Sequence, residues 1–232
     1  MKKIGLIGGL TWVSTLEYYR LLNELVNERK GGSEAAEVIL YSVNFGQIKK
    51  FTESGNWDSI SSIICDAARK LEEAGADCIL IGANTMHKIA NEVQASVKVP
   101  LIHIATVTAA AIKNRLLKKV ALMGTRYTMQ LDFYKNALAQ QGIETLIPGE
   151  QEIEIINTAI YTELGRNIFL DDTRKKFVAV IENLAAKGAE GVILGCTEIP
   201  LLIRQSDSSI PVFDTTALHA LAAVNFALAN PN

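Results

Sequence analysis

Two matched positions in this chain frame its chemistry. Residues 188–198 read GAEGVILGCTE and place Cys196 directly after an apolar run and Gly195. Residues 75–85 read GADCILIGANT and place Ala83 at the equivalent position. Gly75 meets Gly188, Ala76 meets Ala189 and Gly82 meets Gly195. Thr197 and Glu198 follow the cysteine, and Asn84 and Thr85 follow the alanine. A thiol beside such donors can act as a nucleophile or carry a proton. Two half-sites facing each other suit chemistry on both faces of one small molecule, yet here one half carries a thiol and the other a methyl group. A Gly-Cys pair after a strand is also an ordinary packing position. The polar residues continuing past Cys196 favour a functional role.

The repeat extends outside that window, and its elements must position the two half-sites. Ile64, Ala67, Ala68 and Leu71 occupy the same offsets as Phe177, Val180, Ile181 and Leu184, the i, i+3, i+4, i+7 stripe of an amphipathic helix. VPLIHI (99–104) matches IPVFDT (210–215), and KKIGLIGGLT (2–11) matches KKVALMGTRY (118–127). Four matched pieces in one order indicate an internal duplication.

Apolar runs predict strands at 2–8, 37–43, 77–82, 100–104, 118–123, 143–147, 190–195 and 210–213. Helical patterns fill the intervals: about 13–29, 58–74, 86–95, 105–115, 128–141, 151–163, 171–187, 198–204 and 216–228. The alternation implies an α/β protein of two similar α/β/α domains with mostly parallel, doubly covered sheets. The expected division is 1–105 plus about 208–232 for the first domain and about 106–207 for the second. Four loops fall at carboxyl ends of strands, where open parallel sheets bind ligands: Gly8–Ser14, Ala83–His87, Gly124–Thr128 and Gly195–Pro200. Each runs into a helical pattern, whose N-terminus suits a carboxylate and lowers a thiol pKa.

Composition excludes several alternatives. A net charge of −2 over 232 residues gives no case for nucleic acid or an anionic membrane. Apolar runs at 4–13 and 99–112 are too short to span a bilayer. Three cysteines, Cys65, Cys78 and Cys196, argue against a disulfide framework and for a reducing, cytoplasmic location. Cys65 and Cys78 read as packing thiols. Gly5-x-x-Gly8-Gly9 is not a dinucleotide fingerprint, and no P-loop is present. His87, His103 and His219 stand far apart in sequence, so no metal site is expected. His103 reads as structural, and His87 and His219 as candidates for supporting roles.

The segments GGLTWVST…YY, SVNF, ANTMH, GTRYT…FY and GCTEIPLLI, in that order across the whole chain, resemble the aspartate/glutamate racemase family, the cofactor-independent amino-acid racemases. The resemblance implies an active site between two similar domains, a homodimer, no cofactor and aspartate or glutamate as substrate. It implies two cysteines, one removing the Cα proton as thiolate and one delivering a proton to the opposite face. Cys196 matches one of them, and Ala83 stands where the other is usual. Cys78 is no substitute, because it lies inside the strand and a period of two turns it to the opposite face. Three readings of Ala83 stay open: a one-thiol relative with one-sided chemistry, a substitution made to trap ligand, or replacement of the acid/base by water, Thr85 or His87. The residues expected around the substrate are Leu10, Thr11, Gln47, Asn84, Thr85, Thr125, Thr128, Thr197 and Glu198, with Lys49 or Lys50 near its side-chain carboxylate. A single-thiol decarboxylase, a diacid isomerase and a non-catalytic amino-acid-binding protein are the alternative functions.

Overall fold

The computed structural model describes residues 1–229. Two compact units divide the chain, Met1–His103 with the C-terminal segment from His219, and Ile104–Leu218.

The first unit contains β1 (Ile4–Gly8), α1 (Trp12–Lys30), β2 (Val38–Ser42), α2 (Phe45–Glu53), α3 (Trp57–Glu73), β3 (Cys78–Ile81) and α4 (Ala90–Ser96), the last preceded by a 3-10 turn over Thr85–Ile89. Its parallel sheet has the order β2-β1-β3. The expected strand at 100–104 is reduced to one parallel bridge between Ile79 and Leu101. There the Ile79 N–H donates to the Pro100 carbonyl and the Ile102 N–H to the Ile79 carbonyl.

The second unit contains α5 (Ile104–Asn114), β4 (Lys119–Gly124), α6 (Arg126–Gln130), α7 (Asp132–Ala139), β5 (Glu144–Leu146), α8 (Glu150–Thr162), α9 (Asp171–Ala186), β6 (Val192–Gly195), α10 (Ile199–Leu202), β7 (Val212–Asp214) and the start of α11 (Thr215–Leu228). Its parallel sheet has the order β5-β4-β6-β7. With Leu101 in the place of β7, the first sheet has the same order, so the duplication holds at the level of topology.

One further difference from the sequence expectation concerns a boundary and another an added helix. β7 pairs with β6, so the segment after 208 remains in the second unit until Leu218. Helix α2 was not expected; it buries Ile48 and Thr52, whose hydroxyl donates to the Ile48 carbonyl, but the helix is short and opens on an Asn-Phe-Gly turn signal.

Local chemistry explains the elements. Thr11 caps α1 by accepting the Ser14 N–H, Asn56 caps α3 by accepting the Ser59 N–H, and α9 opens on Asp171 and Asp172. The repeated stripe is buried in both copies: Ile64, Ala67, Ala68 and Leu71 on α3 lie between 0 and 1% exposed, and Phe177, Val180, Ile181 and Leu184 on α9 between 0 and 4%. Gly75 and Gly188 end the two helices at φ +92° and +93°, a left-handed conformation that glycine adopts without penalty. Every residue of β1, β3 and β6 is buried, as sheets covered on both faces require. No described helix is long and apolar enough to cross a membrane.

Candidate active site

In each sheet the central strand and the next one inward end at a topological switch. The chain goes from β1 to β2 on one side and returns to β3 on the other; β4, β5 and β6 repeat this. Such a switch opens a crevice between two carboxyl-terminal loops. In the first unit those loops carry Gly8–Thr11 and Ala83–His87; in the second, Thr125–Thr128 and Cys196–Glu198.

In the second unit, Cys196 follows β6 and is 7% exposed. Its Sγ donates to Glu198 Oε2 at 3.0 Å. The Thr197 hydroxyl donates to the same oxygen at 2.9 Å. Glu198 itself is 2% exposed. The environment reverses one expectation. Burial, and next the Glu198 charge, push the Cys196 thiol well above its ordinary pKa, so it rests as a thiol. The anticipated lowering by a helix N-terminus fails because α10 begins only at Ile199 and has four residues. The neighbouring backbone N–H groups of Thr197 and Glu198 act in the lowering direction but are the smaller effects.

Gly124 lets this loop sit where it does. A Cβ on Gly124 would lie 2.6 Å from the Gly195 carbonyl oxygen, so the end of β4 can approach the residue preceding Cys196 only as glycine. Next to it, Thr125 caps α6 by accepting the Thr128 N–H, and the two hydroxyls lie 3.1 Å apart. Thr128 is wholly buried.

In the first unit, Ala83 is half-buried, and Asn84 and Thr85 are 3 and 8% exposed. The His87 ring holds this loop through Nδ1, which donates to the Ala83 carbonyl at 2.9 Å in the tautomer the contact requires. The opposite loop is fixed by residues the sequence reading did not single out. The Thr15 hydroxyl accepts the Gly9 N–H and donates to the Thr11 carbonyl, and the Ser14 hydroxyl reaches the Thr11 and Gly82 carbonyls. A polar Ser-Thr pair one turn into an otherwise apolar helix start was the available signal.

The remaining expected site residues have the following surroundings. The Leu10 side chain lies in the hydrophobic core with Ile7 and Ile81. Gln47 is exposed on α2, beyond the end of β2. Lys49 pairs with Glu53 at 3.5 Å, and Lys50 is exposed. The Thr197 hydroxyl donates its hydrogen bond to Glu198 Oε2. Cys78 packs with Leu80 and Tyr18, whereas Ala83 packs with the cluster containing Ile79 and Ile81, on the other face. Burial pushes the Cys78 thiol up to about 12, which makes it inert at neutral pH.

The three histidines, distant in sequence, form one cluster in the first unit. His87 lies 4.8 Å from His103 and 5.6 Å from His219 between ring centroids. His219 accepts from the Tyr18 hydroxyl at 2.7 Å on Nδ1 and donates to the Ile102 carbonyl at 2.6 Å from Nε2. Burial first, and mutual repulsion after it, hold His87 and His219 neutral, His219 down at about 4. Burial likewise lowers His103. The unfolded chain therefore binds more protons than the folded one below about pH 6.5. Stability is expected to fall as pH drops from 6.5 toward 4, by about 2 kcal/mol between pH 7 and pH 5 from His219 alone. Urea midpoints at the two pH values check this, with His219→Gln flattening the dependence. Among the described residues, no group of three or more His, Cys, Asp or Glu could hold a metal ion.

Comparison with known proteins agrees with this architecture. The sequence model of the Asp/Glu/hydantoin racemase family matches residues 7–223, and the chain belongs to that family. A broad specificity amino-acid racemase of Bacillus subtilis (strain 168) is 28% identical over 172 residues, 74% of each chain. The crystal structure of a putative Asp/Glu racemase from Yersinia pestis is similar at 44% identity and a TM-score of 0.91, covering 99% of this chain and 100% of that one. An aspartate racemase homologue from Pyrococcus horikoshii is similar at 38% identity and a TM-score of 0.86, covering 98% and 99%.

Proposed function

We infer that the protein is a cofactor-independent enzyme that moves a proton at Cα of aspartate or glutamate, with Cys196 as its one thiol acid/base. The observation that carries this is Cys196 itself, a buried thiol at the switch point of the second sheet, hydrogen-bonded to a carboxylate. The acidic substrate is supported by the relatives, among them the aspartate racemase homologue and a glutamate racemase from Synechococcus sp. (strain CC9605), 27% identical over 148 residues.

Removing a Cα proton leaves charge that spreads onto the substrate's α-carboxylate, so fixed donors around it lower the barrier. Thr11, Asn84, Thr85 and Thr125 are the proposed donors, each in a segment that follows a strand, and the buried Thr128 hydroxyl holds Thr125 in place. Ala83 supplies no proton, so exchange is confined to one enantiomer and full inversion is slow. A homodimer and a reducing, cytoplasmic location belong to the same proposal. Trp12, Leu16 and Tyr19, at 57, 59 and 56% exposed on α1, give the dimer an apolar stripe, and all three cysteines are free.

Proton exchange with D₂O is expected for aspartate or glutamate and absent for alanine and lysine, which lack the second carboxylate. Equal exchange of alanine would remove the acidic-substrate assignment.

A further inference from the structure

The two half-sites hold their matched positions differently. In the second unit the Cys196 carbonyl accepts a main-chain N–H, that of Ile199, at 3.1 Å. In the first unit the turn over Thr85–Ile89 is a 3-10 helix, and the His87 N–H goes three residues back to the Asn84 carbonyl at 3.0 Å. An α-helical turn would have sent it to the Ala83 carbonyl. The main chain passes that oxygen by, and the His87 ring reaches back four residues to take it, with Nδ1 at 2.9 Å. The repeat places Pro200, which has no side-chain donor, opposite His87. One residue earlier, the Ser14 hydroxyl donates to the Gly82 carbonyl at 3.1 Å. The ladder ends where the Gly82 N–H meets the Ile7 carbonyl, and the Ala83 N–H turns back to the Ile81 carbonyl at 2.8 Å. Beyond that point the carbonyl side of residue 83 is set by an imidazole.

The ring is itself fixed. A carbonyl only accepts, so His87 is the Nδ1–H tautomer. The residue is 2% exposed and seated edge-on against His103 and His219. His219 does not compete for the Ala83 oxygen, because its Nδ1 accepts the Tyr18 hydroxyl and its Nε2–H goes to the Ile102 carbonyl. The same geometry removes His87 as a stand-in for the missing thiol, since its proton is engaged by the backbone and its ring is out of solvent.

We propose that His87 is the positioning residue of the first half-site: its Nδ1–H, on the Ala83 carbonyl, sets where the side chain of residue 83 stands and so governs proton transfer on the face of Cα that Cys196 does not serve. This rests on the assignment of residues 83 and 196 to the two faces of the substrate. His87 acts through residue 83 and touches neither the substrate nor the moving proton.

The test is made in the Ala83→Cys background, where residue 83 can carry a proton. Cα exchange in D₂O is measured on each enantiomer at saturating substrate, and the ratio of the two rates is the readout. His87→Leu keeps bulk and removes the donor; His87→Asn returns an amide N–H near the place of Nδ1. We expect His87→Leu to lower the rate on the residue-83 face, relative to the Cys196 face, by about 10–100-fold, the order of effect of a misplacement near 1 Å. We expect His87→Asn to restore most of the ratio. A ratio unmoved by His87→Leu, whether both rates fall or neither does, would overturn the proposal. So would a ratio that falls and does not return with His87→Asn, because ring packing and not the N–H would then be at work. Should His87→Leu not fold, proton–nitrogen NMR of the imidazole in the unaltered chain decides: the Nδ1–H tautomer is expected, and the Nε2–H tautomer would overturn the proposal. If Ala83→Cys alone brings no exchange of the second enantiomer, the assignment of position 83 falls and this proposal with it; an unmoved ratio removes this proposal alone.

Discussion

Cys196→Ala is expected to lower Cα proton exchange of aspartate or glutamate by about 10²–10⁴-fold, the usual contribution of one positioned acid/base. The loss should fall on the chemical step. Cys196 is small and at the end of β6, and its neighbours Gly195 and Thr197 are set by β4 and by the Glu198 carboxylate. Its removal leaves those contacts in place, so circular dichroism and substrate affinity should change little. Neither other thiol can compensate. Cys78 points to the opposite face of β3, with a pKa raised to about 12, and Cys65 lies on α3 beside Ser61. Affinity lost together with exchange would indicate that Cys196 shapes the site and does not carry the proton.

Ala83→Cys is expected to have the opposite effect. Residue 83 follows Gly82 at the end of β3, with its N–H on the Ile81 carbonyl and its own carbonyl held by His87. It is half-buried. A thiol there restores the second position of the repeat. Two-way racemisation should rise by about 10²–10⁴-fold, and the second enantiomer should begin to exchange. Chiral chromatography of a pure enantiomer incubated with each protein reads this directly. An unchanged rate of inversion would mean that position 83 does not serve the reacting carbon.

Much of the fold was legible because periodicity reports burial. The stripes on α3 and α9, the glycines that end those helices and the apolar strands all follow from one side of each element facing a core. The duplication was legible for the same reason, since both halves answer the same packing problem. Pairing partners were less so. Leu101 and β7 look alike in sequence, VPLIHI against IPVFDT, yet one forms a single bridge and the other a three-residue strand. Ladder length depends on neighbours that a local pattern does not contain.

For the site, the positions of Cys196 and Ala83 were readable from the repeat, but the protonation state of Cys196 was not. A helix N-terminus at the thiol was anticipated from GCTEIP; the helix found there has four residues and begins only at Ile199, with a buried carboxylate two residues past the thiol. Desolvation is a tertiary quantity, and it outweighs the local dipole here. The histidine cluster was hidden likewise, because His87, His103 and His219 meet only after β3, the Leu101 bridge and α11 come together.

The most direct test is NMR-detected Cα proton exchange in D₂O on each enantiomer of aspartate and glutamate separately, with the unaltered chain. Exchange of one enantiomer, with little formation of the other, is the expected result for a protein with one thiol and one methyl at matched positions. Equal exchange of both enantiomers, or none of either, would contradict it.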